Sequence, residues 1–75
     1  MNDNVLRRSV IEELDFEPGL DSTHIAITVE GGIVRLTGKV ATFGEVELAE
    51  RAASRVRGVR GIIRDLVSSP SMMRS

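Results

Sequence analysis

The chain has 75 residues, 41% of them hydrophobic and 28% charged, and ten Lys and Arg against eleven Asp and Glu give a formal net charge of −1. A chain of this length forms at most one domain and buries only about 60% of the surface that its unfolded form exposes, so we expect no deep substrate cavity. It has no Cys and one His, which excludes disulfides, a thiolate nucleophile and a zinc site made from Cys or several His.

The two parts of the chain carry opposite charge. Residues 1–50 have four basic against ten acidic side chains, a balance of −6, whereas residues 51–75 have six Arg against one Asp, a balance of +5. Such a change of sign can mark a surface for an anionic partner. The first residues do not show the basic segment and following apolar run of a signal peptide. The sequence also has no run of about 20 apolar residues, the length needed for a membrane-spanning helix. We therefore expect a cytoplasmic protein if the chain is complete, and a periplasmic or cell-envelope module if it comes from a longer exported protein.

A first helix is predicted over about residues 5–14, because Leu6, Val10 and Leu14 recur every four residues. A polar side chain at positions 2–4 can cap its start. The basic Arg7 and Arg8 come early in this helix, against its macrodipole, so we expect packing to stabilise it. Pro18-Gly19 then ends the helix and begins a loop.

Two strands follow, at about 24–30 and 33–40, because side chains alternate with a period of two. Gly31-Gly32 supplies the two positive-φ positions of a two-residue hairpin turn, which pairs residues whose numbers sum to 63. This register places the apolar positions of both strands on one face: Ile25, Ile27, Val29, Val34, Leu36 and Gly38. We expect the inward Gly38 to admit the backbone of a helix at close range.

A second helix is predicted to begin at Phe43, because Thr42 and Glu45 have the spacing of a capping box. Gly58 is predicted to end it as a C′ glycine. Its expected inner face consists of Val46, Ala49, Ala52 or Ala53, and Val56. A third strand follows over 59–67, and its inward face stays open, since Ile62 and Leu66 point one way and Ile63 and Val67 the other. The prediction is an α+β domain over 1–67, αββαβ, with two helices on one face of a three-stranded sheet, and a flexible tail over 68–75.

The uncovered sheet face is predicted to be basic. Arg55 and Arg57 complement the dipole of the second helix, and Arg51 can form an i,i+4 ion pair with Glu47, whereas four further cations have no such explanation. The predicted binding residues are therefore Arg35, Lys39, Arg60 and Arg64, assisted by Arg55 and Arg57.

The sequence argues against two more specific functions, catalysis and nucleic-acid binding. The titratable groups are scattered and no nucleophile has an adjacent base, so we expect no enzyme, metal or cofactor. The Gly58–Gly61 segment has the GxxG form with which KH domains clamp nucleic acid, but here it lies between a helix and a strand rather than between two helices. Binding of single-stranded nucleic acid is therefore the weakest of the remaining alternatives.

The sequence as a whole resembles a BON domain, the module named for bacterial osmotic-shock and nodulation proteins. The resemblance covers about residues 5–67 and depends on the strand-turn-strand segment Ile25-Ala-Ile-Thr-Val-Glu-Gly-Gly-Ile-Val-Arg-Leu-Thr-Gly38, the alanine-rich helix, and Val56-Arg-Gly-Val-Arg-Gly61. It implies an αββαβ fold with a mixed sheet, no catalytic residues, and association with phospholipid surfaces and the cell envelope.

The function expected from residues and resemblance together is a non-catalytic binding module for an anionic phospholipid surface or an envelope protein. The alternative is a protein-interaction or weakly self-associating module, in which an edge of the sheet pairs with a partner strand.

Overall fold

The computed structural model describes residues 2–68. It contains five elements in the order αββαβ: α1 Asp3–Asp15, β1 Ile25–Glu30, β2 Ile33–Val40, α2 Phe43–Ser54 and β3 Gly61–Ser68. The predicted α+β fold class is thereby confirmed. Ser68 still belongs to β3, and the rest of the predicted tail lies outside the described residues.

The sheet has the order β1-β2-β3 and is mixed. β1 and β2 are antiparallel in the predicted register, with Val29 opposite Val34 and Ile27 opposite Leu36. β2 and β3 are parallel, with Ile33 opposite Gly61, and α2 provides the crossover between them. β2 is therefore the central strand, and β1 and β3 are the two edges.

Both helices pack on one face of the sheet. The stripe of α1 predicted from its periodicity is fully buried, as are two alanines that the sequence left as alternatives, Ala52 and Ala53. The core consists of Leu6, Val10, Leu14, Ile27, Val34, Leu36, Ala49, Ala52 and Ala53. Since alanines leave little bulk between α2 and the sheet, the helix lies close to the strands.

The inward face of β3, left open by the sequence, is the one with Ile62 and Leu66. These two side chains pack against the core, whereas Ile63 and Val67 are exposed on the opposite face. Successive side chains of a strand point to opposite faces of the sheet. The side chain of Arg64 therefore points to the same side as Ile62 and Leu66.

The end of α2 differs from the prediction. The helix ends at Ser54 with Arg55 as its C-cap, and the N–H groups of Arg55 and Val56 donate to the carbonyls of Ala52 and Ala53. These short-range bonds tighten the last turn before the chain reaches Gly58. Gly58, with φ of 102°, therefore makes a turn beyond the helix and is not its C′ residue.

Gly38 also differs from its predicted role. An added Cβ at this position, where φ is 135°, would collide with the carbonyl oxygen of His24. The backbone that approaches Gly38 closely is therefore that of the residue preceding β1, not that of a helix. The close approach was predictable from an inward glycine, but its partner was not.

Candidate functional site

The open face of the sheet is balanced in charge and not basic. Arg35 lies on this face as expected, but it forms an ion pair with Asp65 of β3. Lys39 lies on it too, and Glu30 of β1 supplies a second carboxylate. Two cations are thus matched by two anions, and the expected concentration of positive charge on this face is wrong.

Arg64 lies on the helix-covered side of the sheet. Its Nη1 is 3.1 Å from Oε1 of Glu50 on α2. This ion pair is possible because Arg64 lies on the same face of β3 as the inward-facing residues. The sequence did not place it there, because the inward face of β3 could not be chosen from the pattern alone.

Arg55 connects the two helices. Its Nη2 lies 2.7 Å from Oε1 of Glu17 and 3.2 Å from Oε2 of Glu13, so its guanidinium lies between the C-terminal part of α1 and the end of α2. The hydrogen bonds to Glu17 and then to Glu13 raise the pKa of Arg55. This arginine is occupied by contacts within the fold, and half of the predicted binding residues, Arg35, Arg55 and Arg64, are ion-paired.

The other two predicted arginines lie together at the end of the sheet that contains the Gly31-Gly32 turn, which we call the hairpin end. Arg57 and Arg60 flank Gly58, and neither forms a salt bridge with any residue in the range 2–68. The N–H of Arg60 donates to the carbonyl of Gly32 at 2.8 Å. Its aliphatic stem lies directly over Gly32, where an added Cβ would be only 2.7 Å from Cδ.

The start of α1 completes the hairpin end. Asp3 accepts a hydrogen bond from the N–H of Gly31 at 3.1 Å, and Asp3 and Leu6 line a shallow hollow together with Gly58 and Arg60. This hydrogen bond ties the start of α1 to the hairpin turn.

Two basic residues of α1 were not among the predicted binding residues. Arg7 and Arg8 lie on an exposed side of α1, and Nε of Arg7 donates to the carbonyl of Ile27 at 2.8 Å. Their early position in the helix, against its dipole, was the signal that could have identified them. They line a separate hollow with Asn4, Ile11 and Glu12. We therefore call Arg57 and Arg60 the hairpin-end arginines, and Arg7 and Arg8 form a second basic pair on the exposed side of α1, the helix whose first residue contacts the turn.

Lys39 is far from this set along the sheet, at the end where β1 begins and β2 ends. It lines a small hollow with His24, Asp21 and Glu45. Hydrogen bonds from the side chain and the backbone N–H of Thr23 lower the pKa of Asp21. This opposite end therefore carries an excess of carboxylates, and Lys39 does not join the hairpin-end arginines.

Neither a metal site nor a membrane-spanning helix is found in the described part of the chain. Over residues 2–68, no three His, Asp or Glu side chains come together as a set of metal ligands. Over the same range, no helix has the length and apolar character needed to cross a bilayer. The site is a charged surface around the Gly31-Gly32 turn, and its arrangement is suited to contact with an anionic partner.

This combination defines a small binding domain of αββαβ fold. The model of the BON domain family matches residues 2–70, nearly the whole chain, and the protein belongs to this family. BON domains are non-catalytic binding modules related to phospholipid binding and osmotic stress. Comparison with curated proteins finds no significant match.

Proposed function

We propose that this BON domain associates with anionic phospholipid surfaces through its hairpin end. The observation that carries the proposal is the position of Arg57 and Arg60 beside Gly58 and the hairpin turn, where Asp3 and Glu30 are the nearby carboxylates. Arg7 and Arg8 on α1, with Glu12 beside them, form a second basic pair. Asp3 is already engaged with the N–H of Gly31. Guanidinium groups that make no ion pair within 2–68 keep their charge available to phosphate oxygens.

The expected strength is moderate. A basic residue near an anionic membrane contributes about 1 kcal/mol, and this attraction falls off within a Debye length of about 8 Å at physiological salt. Four arginines therefore support reversible, salt-sensitive attachment and not a permanent anchor. The position of Arg60 is defined by contact with the turn, because its aliphatic stem rests on Gly32.

Co-sedimentation with vesicles tests the proposal. We expect binding to vesicles rich in phosphatidylglycerol, weak or no binding to phosphatidylcholine vesicles, and release at high salt. The double substitution Arg57→Gln with Arg60→Gln removes two of the four charges and should weaken binding about thirtyfold, the equivalent of about 2 kcal/mol.

The matched control is Arg35→Gln with Lys39→Gln, which removes the same charge from the open sheet face. It should leave binding nearly unchanged. Equal binding of the native protein to neutral and anionic vesicles would argue against the proposal. A loss that is the same for both double variants would show that net charge, and not the hairpin end, controls attachment.

A further inference from the structure

The two edges of the sheet differ in how far they are protected. On β1, Nε of Arg7 covers the edge by donating to the outward carbonyl of Ile27. β3 is longer, with eight residues against six, and no strand among residues 2–68 pairs with its outer side. Because hydrogen bonds to β2 use only alternate residues of a strand, every second residue of β3 turns its N–H and C=O outward. Such an edge is a template for another strand.

The side chains beside this edge are apolar on one face of the sheet. Ile63 and Val67 are 40% and 58% exposed, and Ile33 of the neighbouring strand is 38% exposed. Edge strands are commonly protected by charged side chains. On this face of β3 the charged side chain is Asp65, and its carboxylate is already paired with Arg35. The open face next to the edge therefore offers β-branched side chains for a cross-strand contact.

The helix side of the same edge is self-complementary in charge. A groove between α2 and β3 is lined by Glu47, Glu50, Arg51 and Arg64, with Ser54. Two carboxylates and two guanidinium groups give it no formal net charge. A second copy related by a two-fold axis presents the same two acids and two bases in the opposite direction, so unlike charges can meet across the axis. The hairpin end and the opposite end lack this balance.

We propose that the outer edge of β3 pairs antiparallel with β3 of a second copy of this chain, which makes a two-fold dimer with a continuous six-stranded sheet. The proposal does not depend on lipid binding. A two-fold axis perpendicular to the sheet keeps both open faces on the same side, so residues with side chains on the same face lie opposite each other.

The charges of β3 and of the preceding Arg60 favour one register. Centring on Ile62 places Arg64 opposite the partner's Arg60, which is unfavourable. A register centred on Arg64 places two arginines opposite each other, and one centred on Asp65 does the same with two carboxylates; both are unfavourable. A register centred on Leu66 leaves Ile63 without an opposite residue in the described part of β3. Centring on Ile63 places it opposite Ile63 of the partner subunit, and Asp65 then lies opposite the partner's Gly61. This register avoids every pair of like charges within the strand.

Sedimentation of the full-length chain is the first test. The weight-average mass should rise above 8.2 kDa over about a hundredfold increase in concentration. Ile63→Lys places two ammonium groups opposite each other and should abolish this rise. Ile33→Lys is the matched control, since Ile33 has nearly the same exposure on the same face but lies on the central strand. The Ile33→Lys variant should still show the increase of weight-average mass with concentration. A native chain that stays monomeric, or a loss that is equal in both variants, would overturn the proposal.

Cross-linking tests the register, because the chain has no Cys of its own and each introduced thiol is unique. Opposite residues of antiparallel strands have Cα atoms about 4.5 to 5.5 Å apart, a separation that a disulfide can span. Ile63→Cys should therefore form a disulfide-linked dimer under mild oxidation much faster than Val67→Cys, whose opposite residue in this register is the partner's Val59. Equal rates for the two variants would contradict the register and the pairing that it represents.

Discussion

Single glycines make room for two close contacts in this domain, one with backbone and one with a side chain. Gly38 has a φ of 135°, which side chains rarely adopt, and the carbonyl of His24 occupies the space that a Cβ would need. Gly32 makes room for the stem of Arg60 in the same way. An inward glycine on a strand predicts a close neighbour, but the identity of that neighbour depends on tertiary contacts that the sequence pattern does not contain.

Substitution of Gly38 should therefore be costly. We expect Gly38→Ala to lower the free energy of unfolding by about 3 kcal/mol, because it combines an unfavourable backbone conformation with a steric clash. Gly44→Ala is the control. Gly44 lies in the first turn of α2 with only ordinary contacts around it, and alanine there should be neutral or stabilising by up to about 1 kcal/mol. Urea unfolding of both variants measures the difference, and equal effects would refute the role assigned to Gly38.

At the scale of elements, the start of α2 was readable from local sequence and its end was not. The hydroxyl of Thr42 accepts from the N–H of Glu45 at 3.3 Å, while the carboxylate of Glu45 accepts from the N–H of Ala41 at 2.8 Å. Local hydrogen bonds of this kind depend on residues three or four apart, so spacing reveals them. The even-numbered and the odd-numbered residues of β3 are almost equally apolar. The inward face of this strand is therefore decided by packing against α2, which the sequence pattern does not contain.

The cap itself gives an element-scale prediction. Thr42→Ala should destabilise the domain by about 1 kcal/mol, since the N–H of Glu45 then loses its side-chain acceptor. Thr42→Ser retains the hydroxyl oxygen and should restore most of the stability. Thermal unfolding followed by circular dichroism compares the three proteins. If serine and alanine behaved alike at this position, the hydroxyl would not be the stabilising group.

At the scale of the whole molecule, part of the charge difference between the two halves of the sequence becomes a separation of charge between the two ends of the sheet. Arg57 and Arg60 lie at the hairpin end, and Asp21 and Glu45 lie at the opposite end. The fold order and the hairpin register followed from the sequence, because turn chemistry and periodicity agree there. The binding surface did not, because ion pairs such as Arg64 with Glu50 connect residues that only the tertiary structure brings together.

For the proposed membrane attachment, this separation predicts an orientation that single labels can measure. An environment-sensitive fluorophore on Asn4→Cys, next to the residue that contacts the hairpin turn, should change its emission when phosphatidylglycerol vesicles are added. The same label on Ala41→Cys, beside the acidic end, should change little. A reversed pattern would show that the domain attaches by the opposite end.

The separation of charge also acts before contact. Arg57 and Arg60 at the hairpin end and Asp21 and Glu45 at the opposite end contribute an electric dipole component along the strands, which Asp3 and Lys39 partly offset. In the field of a negatively charged surface, a dipole experiences a torque that turns its positive end toward the source. A protein whose net charge is only −1 is barely drawn to or repelled from such a surface as a whole, but it is rotated by it. For the proposed membrane attachment, we therefore expect the domain to arrive with its hairpin turn leading, which raises the fraction of collisions that lead to binding.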